Sequence, residues 1–263
     1  MANNQLLTAI DELGRATLTL NRPELHNAFD DLLIAELTAS LKQLAADPQV
    51  RLVILAAAGK SFSAGADLGW MQRMADYSYA ENLSDASALA ELMRTLNELP
   101  KPTIALVQGA AFGGGVGLAA ACDLVLATPT ALFCLSEVKL GLIPAVISPY
   151  VVAAIGGRAA RRYAISAERF DAERARQLGL VHEIVPADQL AAEADRLSRL
   201  LLQNGPDAMA AAKLLIAEVA QSPLSAELIA MTAERISVTR ASAEGREGLN
   251  AFLEKRPPDW VKG

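Results

Sequence analysis

The chain has 263 residues and a formal net charge of −6 at pH 7, and hydrophobic residues make up 52% of it. This acidic balance argues against nucleic acid as the main partner, because binding to a phosphate backbone requires a basic face. No stretch approaches the roughly 20 apolar residues of a membrane span. The N-terminus lacks the basic-then-apolar order of a signal peptide. We therefore expect a cytoplasmic protein with no membrane contact.

The two cysteines, Cys122 and Cys134, lack the spacing of metal ligands, and the chain has only two histidines. Cysteines in such a pattern are typical of buried, reduced thiols in a cytosolic protein. We therefore expect no metal site.

Strands and helices alternate along most of the chain. Alternating or continuous apolar runs predict strands, and apolar stripes at helical spacing predict helices. The predicted strands are residues 15–20, 52–57, 103–107, 124–127, 132–135 and 181–185. The predicted helices are 31–46 (capped by Asp30), 83–96, 114–121, 149–155, 158–165, 172–178, 187–203, 206–220, 223–238 and 242–254. Residues 71–80 are predicted to be irregular. The last quarter contains helices alone, which indicates an α/β core followed by a helical C-terminal segment.

Three segments combine a strand with a turn of small residues. They are 61–68 (SFSAGADL), 109–115 (GAAFGGG) and 135–144 (LSEVKLGLIP). Glycine lets a ligand approach the backbone closely, and a helix that begins at Gly114 or Gly115 exposes unpaired N–H groups at its positive end. Such a turn can stabilise a developing oxyanion by roughly 3–4 kcal/mol for each well-aimed donor. The alternative is a tight crossover in which glycine serves packing alone.

Other chemistries fit the motifs less well. Leu118 occupies the place of the third glycine in G-x-G-x-x-G, and no P-loop G-K-[ST] is present. The residues around Ser63 nearly match the G-x-S-x-G of serine hydrolases, but the first glycine is Ser61. A triad would need His26 or His182 as its base, and the sequence favours neither. A serine peptidase and a non-catalytic CoA- or RNA-binding scaffold are kept as alternatives.

Five ordered motifs together resemble the crotonase (enoyl-CoA hydratase/isomerase) superfamily. They are Asn21-Arg22-Pro23 with Asn27-Ala28, residues 62–68, residues 108–115 with Cys122-Asp123, Glu137 with residues 141–144, and residues 175–181. The likeness covers essentially the whole chain. It implies an α/β fold with a spiral of ββα turns and the acyl-CoA site in residues 1–200, and a helical trimerisation segment in residues 201–263. It also implies an acyl-CoA thioester substrate, no cofactor beyond that CoA, and a homotrimer or a dimer of trimers.

The resemblance assigns roles to individual residues. The N–H groups of Ala66 and Gly114 would form an oxyanion hole for the thioester carbonyl, and Glu137 would be the acid/base. An apolar setting would raise the pKa of Glu137 and let it both accept and donate a proton near neutral pH. The residues placed around the CoA and acyl groups are Leu25, His26, Ala64, Asp67, Leu68, Gly113 and Ala145.

One position departs from the family pattern. Hydratases of this family usually carry two glutamates, and the first stands where this chain has Gly117. One carboxylate is enough to move a proton between carbons, which permits a Δ3,Δ2-enoyl-CoA isomerase. Hydration requires that Glu137, or a group such as Tyr77, Tyr79 or Asn82, positions the water. The substrate could instead supply its own carboxylate.

A finer resemblance favours hydration. Residues 112–118, 133–138 and 143–152 are similar to a bacterial subgroup associated with 3-methylglutaconyl-CoA hydratases of leucine breakdown and with related acyclic-terpene enzymes. The run 145–148 (AVIS) replaces the glycine-rich run that is common after the preceding proline, which indicates a reshaped acyl pocket. The sequence therefore predicts reversible hydration of a branched, carboxylated 2-enoyl-CoA through a thioester enolate.

Overall fold

The computed structural model describes residues 5–261. The strands are β1 (Leu6–Ile10), β2 (Arg15–Leu20), β3 (Leu52–Ala57), β4 (Thr103–Val107), β5 (Ala110–Phe112), β6 (Leu124–Ala127), β7 (Leu132–Cys134), β8 (Phe170–Asp171) and β9 (Glu183–Ile184). The α-helices are α1 (Asp31–Ala46), α2 (Leu68–Met74), α3 (Tyr79–Asn97), α4 (Gly114–Ala121), α5 (Ser148–Ser166), α6 (Ala172–Leu178), α7 (Leu190–Leu202), α8 (Pro206–Gln221), α9 (Ala226–Ala241) and α10 (Ala243–Glu254). Short 3-10 helices cover Pro23–Leu25 and Glu137–Leu140.

Within residues 5–261 the strands form two sheets. The larger sheet has the order β1-β2-β3-β4-β6-β9, and the smaller has the order β5-β7-β8. From β2 to β9 the larger sheet is parallel, and β1 is its antiparallel edge. Parallel strands need crossover connections, which place helices over the sheet and bury its central strands. The paired residues of β3 and β4, such as Ile54 opposite Ile104, are accordingly buried and aliphatic.

The prediction that residues 71–80 are irregular is wrong over most of that range. The carboxylate of Asp67 accepts hydrogen bonds from the first N–H groups of α2, and Trp70 buries the inner face of this helix. Ser78 and Glu81 form a reciprocal capping box at the start of α3. These capping residues supply partners for N–H groups that have none inside the helix, so two helices replace the expected loop.

The remaining differences from the predicted elements are small. The pattern does not predict β1, β5 or β8, of which the last two span only three and two residues. The two helices predicted at 149–155 and 158–165 form the single element α5, which breaks at Gly156 with φ 75° and ψ 151°. Only glycine adopts such a φ without strain, so the break is encoded locally.

Asp123 joins the C-terminal helices to the sheet. Its Oδ2 accepts hydrogen bonds from the N–H and the hydroxyl of Thr103 at 2.8 Å each, and from Nζ of Lys213 on α8 at 2.9 Å. The neighbouring Cys122 is buried, and burial raises the pKa of its thiol to about 12. Cys134 is also buried and unpaired, so the prediction of buried thiols is confirmed.

The helices α8 and α9 contain no buried residue, although both are rich in aliphatic side chains. Exposed members of this surface include Leu214, Ile216, Ile229, Ile236 and Val238. An open groove of about 660 Å³ lies between the two helices. In the part of the chain that the structure describes, no helix combines the length and apolarity needed to cross a lipid bilayer.

Candidate active site

Strand-like bridges outside the main sheets bring the three predicted segments together. Ser63 pairs with Ala111, which fixes the loop after β3 against β5, and Phe29 pairs with Ala66, which fixes the same loop against the segment before α1. In the smaller sheet Phe112 pairs with Cys134, and the N–H of Gly113 donates to the Cys134 carbonyl at 2.8 Å. The start of α4 therefore lies beside the segment that carries Glu137.

Two backbone N–H groups face this junction without a partner among the described residues. They belong to Ala66, which follows Gly65 at φ 93°, and to Gly114, the first residue of α4. Gly113 caps the helix with φ 52° and ψ −122°, a conformation that favours glycine. The N–H of Gly114 also lies at the positive end of the helix dipole. Both groups are placed where they can donate to an oxygen atom of a ligand.

The ring of Phe29 packs against Gly114 and leaves no room for a side chain there. A Cβ added at Gly114 would lie 2.7 Å from Cε2 of Phe29 and closer still to Cζ. At the neighbouring Gly113, an added Cβ would lie 3.2 Å from Oε1 of Glu137. The turn is therefore packed closely on both sides, by an aromatic ring and by the candidate acid/base.

Glu137 opens the 3-10 helix after β7, and its carboxylate is mostly removed from solvent. Its Oε2 is buried and has no hydrogen-bond partner among residues 5–261. Burial raises the pKa of the Glu137 carboxyl, and a hydrogen bond from its own backbone N–H partly opposes this effect. A buried, unsatisfied carboxylate oxygen is costly to the fold, which makes Glu137 a candidate for a chemical role.

A cavity of about 350 Å³ connects these groups. Of the predicted site residues it is lined by Ala64, Ala66, Gly113, Gly114, Glu137 and Ala145. The rest of its wall is largely apolar and comes from α2, α3 and the segment 140–147, with residues such as Met71, Met74, Leu89, Leu142, Ile143 and Val146. The cavity thus pairs one acid/base with two free backbone donors and an apolar chamber, as an acyl thioester site requires.

Four predicted ligand-contacting residues lie outside the cavity lining. Leu25 and Leu68 are exposed, and His26 directs Nδ1 to the Ser61 hydroxyl at 3.1 Å. Asp67 uses one oxygen to cap α2 and accepts from Arg22 with the other at 2.9 Å. Their predicted contacts with CoA stay predictions.

The pairing of His26 with Ser61 does not make a peptidase site. Ser61 and Ser63 are both buried, and neither lines the cavity beside Glu137. The Ser63 hydroxyl accepts from the N–H of Gly65 at 3.3 Å, which stabilises the turn before Ala66. These serines hold the loop in shape.

The place of the usual first glutamate is filled by other side chains. A Cβ added at Gly117 would lie 2.8 Å from Cβ of Ile147, closer still to its Cγ2, and 3.2 Å from Cε of Met93. Ile147 and Met93 are both buried. No second carboxylate can enter from this position of α4 without displacing Ile147.

The structure shows a second cavity carboxylate that the sequence analysis missed. Asp85 on α3 lines the chamber, and its Oδ1 accepts a hydrogen bond from the indole N–H of Trp70 at 3.0 Å. Burial raises the pKa of Asp85, against the opposing effect of the Trp70 hydrogen bond. Of Tyr77, Tyr79 and Asn82, only Asn82 is among the lining residues. No local sequence pattern predicts this carboxylate, because its position depends on the hydrogen bond from Trp70 on another helix.

Comparison with known proteins agrees with this geometry. Residues 12–263 match the family described as enoyl-CoA hydratase/isomerase. The chain belongs to this family. A crystal structure of an enoyl-CoA hydratase from Shewanella pealeana is similar, with a TM-score of 0.95 and 48% identity over 98% of this chain and 97% of that one.

Two relatives from Escherichia coli differ in the reaction that they are named for. The 2,3-dehydroadipyl-CoA hydratase is 34% identical over 92% of this chain and 93% of its own length. The 1,2-epoxyphenylacetyl-CoA isomerase is 35% identical over 95% of this chain and 96% of its own length. The predicted superfamily, the α/β fold with its helical C-terminal segment and the assignment as an enzyme are therefore confirmed. The division at residue 200 and the roles of the site residues stay predictions.

Proposed function

We propose that this enzyme catalyses the reversible hydration of a 2-enoyl-CoA. The observation that carries the proposal is the buried, unpartnered Oε2 of Glu137 in one cavity with the free N–H groups of Ala66 and Gly114. The thioester oxygen accepts both N–H hydrogen bonds. Negative charge develops on that oxygen during the reaction, and donors fixed in advance stabilise the transition state more than the ground state.

Glu137 performs both proton transfers in this scheme. Its carboxylate removes a proton from a water molecule as the water oxygen bonds to C3 of the enoyl group. The electrons of the C2–C3 double bond move to the thioester, which becomes an enolate held by Ala66 and Gly114. The protonated Glu137 then gives its proton to C2, and the product is a 3-hydroxyacyl-CoA. A carboxyl whose pKa is raised by burial is suited to both steps. No cofactor other than the CoA of the substrate takes part.

A second candidate function is isomerisation, in which the double bond moves from C3–C4 to C2–C3 of the acyl chain. It is favoured by the packing around Gly117, where Ile147 and Met93 occupy the space of the family's usual first glutamate. Isomerisation needs only that Glu137 removes a proton from C2 and returns it to C4, through a conjugated dienolate whose oxygen is held by the same two N–H groups.

The acyl group is the finer part of the proposal. The sequence likeness favours a branched, carboxylated group such as that of 3-methylglutaconyl-CoA, and one relative is named for a dehydroadipyl group. The charge of the cavity, in contrast, disfavours a carboxylated acyl group. Its described lining contains two acidic side chains, Glu137 and Asp85, and no lysine, arginine or histidine. A carboxylated acyl group would have to share a proton with Asp85 or meet a cation from another protomer.

The test is a panel of thioesters in which hydration and double-bond shift are measured separately. Crotonyl-CoA, 3-methylcrotonyl-CoA and 3-methylglutaconyl-CoA report hydration by loss of enoyl absorbance, and 3-hexenoyl-CoA reports isomerisation. We expect hydration to exceed isomerisation and Glu137→Gln to lose about 100- to 10,000-fold in kcat. Glu91→Gln, which changes an acid on α3 that pairs with Lys42 and Arg94, is the control and should keep full activity. Full hydration by Glu137→Gln would overturn the proposal.

The protein is further proposed to assemble as a homotrimer or a dimer of trimers. The exposed aliphatic surface of α8 and α9 supports this, since monomers rarely expose large contiguous apolar patches. Light scattering at micromolar concentration should give three or six times the 27.8 kDa of one chain. A monomer would contradict it.

The outer residues Leu25, His26, Asp67 and Leu68 are proposed to contact the CoA moiety. Leu25 and Leu68 lie exposed near the rim, where an adenine or pantetheine group can pack on them. Leu68→Ser should raise KM for crotonyl-CoA several-fold and leave kcat unchanged, since it removes contact with the part of the ligand that does not react. A fall in kcat alone would contradict this role.

A further inference from the structure

Asp85 is an acidic side chain in the wall of a largely apolar chamber, which it shares with Glu137. It lies on α3 together with Asn82, Ala86 and Leu89, which line the same cavity. The amide nitrogen of Asn82 is occupied by the carbonyls of Tyr77 and Ser78. Asp85 is therefore the charged group that α3 presents to a ligand.

The indole of Trp70 fixes the Asp85 carboxylate. Trp70 is 3% exposed, and its Nε1 donates to Oδ1 of Asp85 at 3.0 Å. Oδ2 has no hydrogen-bond partner in the range 5–261, so it is free to interact with a ligand. Trp70 also lies one turn after Ala66, which ties the position of Asp85 to the turn that holds the thioester.

Position along α3 separates Asp85 from the reacting carbons. Met93, on the same helix, contacts the space above Gly117, where the water-holding glutamate of the family would project. Asp85 precedes Met93 by eight residues, which is about 12 Å along a helix axis. Asp85 is thus too far along the helix to replace that glutamate, and it lines the chamber beside Trp70 and Asn82 instead.

The charges around Asp85 are few. Asp31 on α1 opposes its ionisation and Arg73 on α2 favours it, while Glu137 is the other acid in the chamber. Arg73 itself pairs with Asp31. Among the described residues Asp85 forms no ion pair, so its carboxyl group faces the cavity without a dedicated counter-ion.

We propose that Asp85 determines selectivity for the distal end of the acyl group. It favours an acyl group whose distal atoms donate a hydrogen bond, such as an amide or a hydroxyl, over one that ends in a carboxylate anion. A distal carboxyl group binds well only if it brings a proton to share with Oδ2. This inference rests on the proposed acyl-CoA function and adds the residue that recognises the acyl terminus.

The experiment measures binding of three saturated thioesters by calorimetry. Glutaryl-CoA ends in a carboxylate, glutaramyl-CoA in an isosteric amide, and 5-methylhexanoyl-CoA in an isosteric alkyl group. At pH 7.5 the wild type should bind the amide at least about tenfold more tightly than the carboxylate, because two like charges approach in a partly buried chamber. Asp85→Asn should reduce this ratio to within about threefold, since its amide can donate to the carboxylate.

The controls separate recognition from general damage. Affinity for 5-methylhexanoyl-CoA should change less than about threefold in Asp85→Asn, and Glu91→Gln should leave all three affinities unchanged. Asp85→Ser provides a second uncharged variant if the asparagine variant unfolds. A carboxylate-to-amide ratio that is the same in wild type and both variants would overturn the proposal, as would an equal loss of all three ligands.

Failure of the proposed reaction would be seen elsewhere. Saturated thioesters cannot be hydrated or isomerised, so their binding ratios decide the role of Asp85 whatever the turnover assay shows. Absence of hydration across the enoyl-CoA panel would contradict the proposed function. The affinity ratios of the saturated thioesters would still test whether Asp85 selects the acyl terminus.

Discussion

Replacing Gly117 by alanine tests whether the place of the missing glutamate is truly filled. The added Cβ would lie 2.8 Å from Cβ of Ile147 and 3.2 Å from Cε of Met93, whereas ordinary contacts between carbon atoms begin near 3.5 Å. Contacts as short as 2.8 Å put the cost in the upper part of the usual overpacking range, at about 2–3 kcal/mol. Alanine recovers about 1 kcal/mol of helix propensity over glycine, so we expect a net loss of about 1–2 kcal/mol.

The matched partner is Ile147→Ala, which deletes the side-chain carbons that crowd Gly117. Alone it should cost about 2–4 kcal/mol, because Ile147 is buried and a cavity remains. The double variant should cost about 1 kcal/mol less than the sum of the two single variants, since the new methyl group enters the space that the isoleucine leaves. The gain is partial because the Cβ of residue 147 remains.

The measurement is urea unfolding of the four proteins, followed by circular dichroism at one protein concentration. A coupling energy that stays within about 0.5 kcal/mol of zero would refute the reasoning, because it would mean that the two sites do not touch. A Gly117→Ala variant that is as stable as the wild type would refute the reasoning as well. Either result would reopen the space beside Gly117 as a place for water.

Four further predictions concern the site and the residues around it. Because burial raises the pKa of Glu137 above its usual 4.5, kcat/KM should rise with pH through a pKa above 4.5; a rise centred below 4.5 would contradict this. For the same reason ionisation of Glu137 opposes folding, so Glu137→Gln should raise Tm by about 1–3 °C at pH 7.5 and lose this advantage as pH falls to 4. Asp67→Asn keeps the cap of α2 but loses the ion pair with Arg22, so its free energy of unfolding should fall by about 1–2 kcal/mol. Asp67→Ala loses both interactions and should lose about 2–4 kcal/mol. Equal losses for the two variants in urea unfolding would show that the cap contributes nothing. Gly114→Ala should cut kcat about 100-fold, since its Cβ collides with Phe29 and displaces a backbone donor; an unchanged kcat would exclude that N–H from catalysis.

The backbone cradle and its acid/base could be predicted because their signals are local. Glycines next to strand ends specify turns whose conformations few other residues adopt, as Gly65 and Gly113 do here. Parallel strands place the residues that follow them at one edge of the fold, which brings Glu137 to Gly114. The order of the motifs along the chain therefore predicts most of the residues of the candidate site.

The other wall of the cavity depends on contacts that no local pattern encodes. α2 has only seven residues, and its stability comes from the cap at Asp67 and from burial of Trp70. The role of Asp85 arises from an indole fifteen residues earlier in the chain. The loss of space at Gly117 likewise depends on Ile147, thirty residues away. Side-chain packing between distant segments decides these features, and periodicity does not report it.

The hydrogen bond between Trp70 and Asp85 gives the enzyme a built-in optical reporter. Indole fluorescence responds to charge and water near the ring, and Trp70 lies in the cavity wall. The chain has two tryptophans, and the other, Trp260, donates to the carbonyl of Gln203 near the C-terminus. A Trp260→Phe variant would leave a single emitting residue at the acyl pocket. Ligand entry and proton uptake by Asp85 could then be followed by stopped-flow emission without any attached dye.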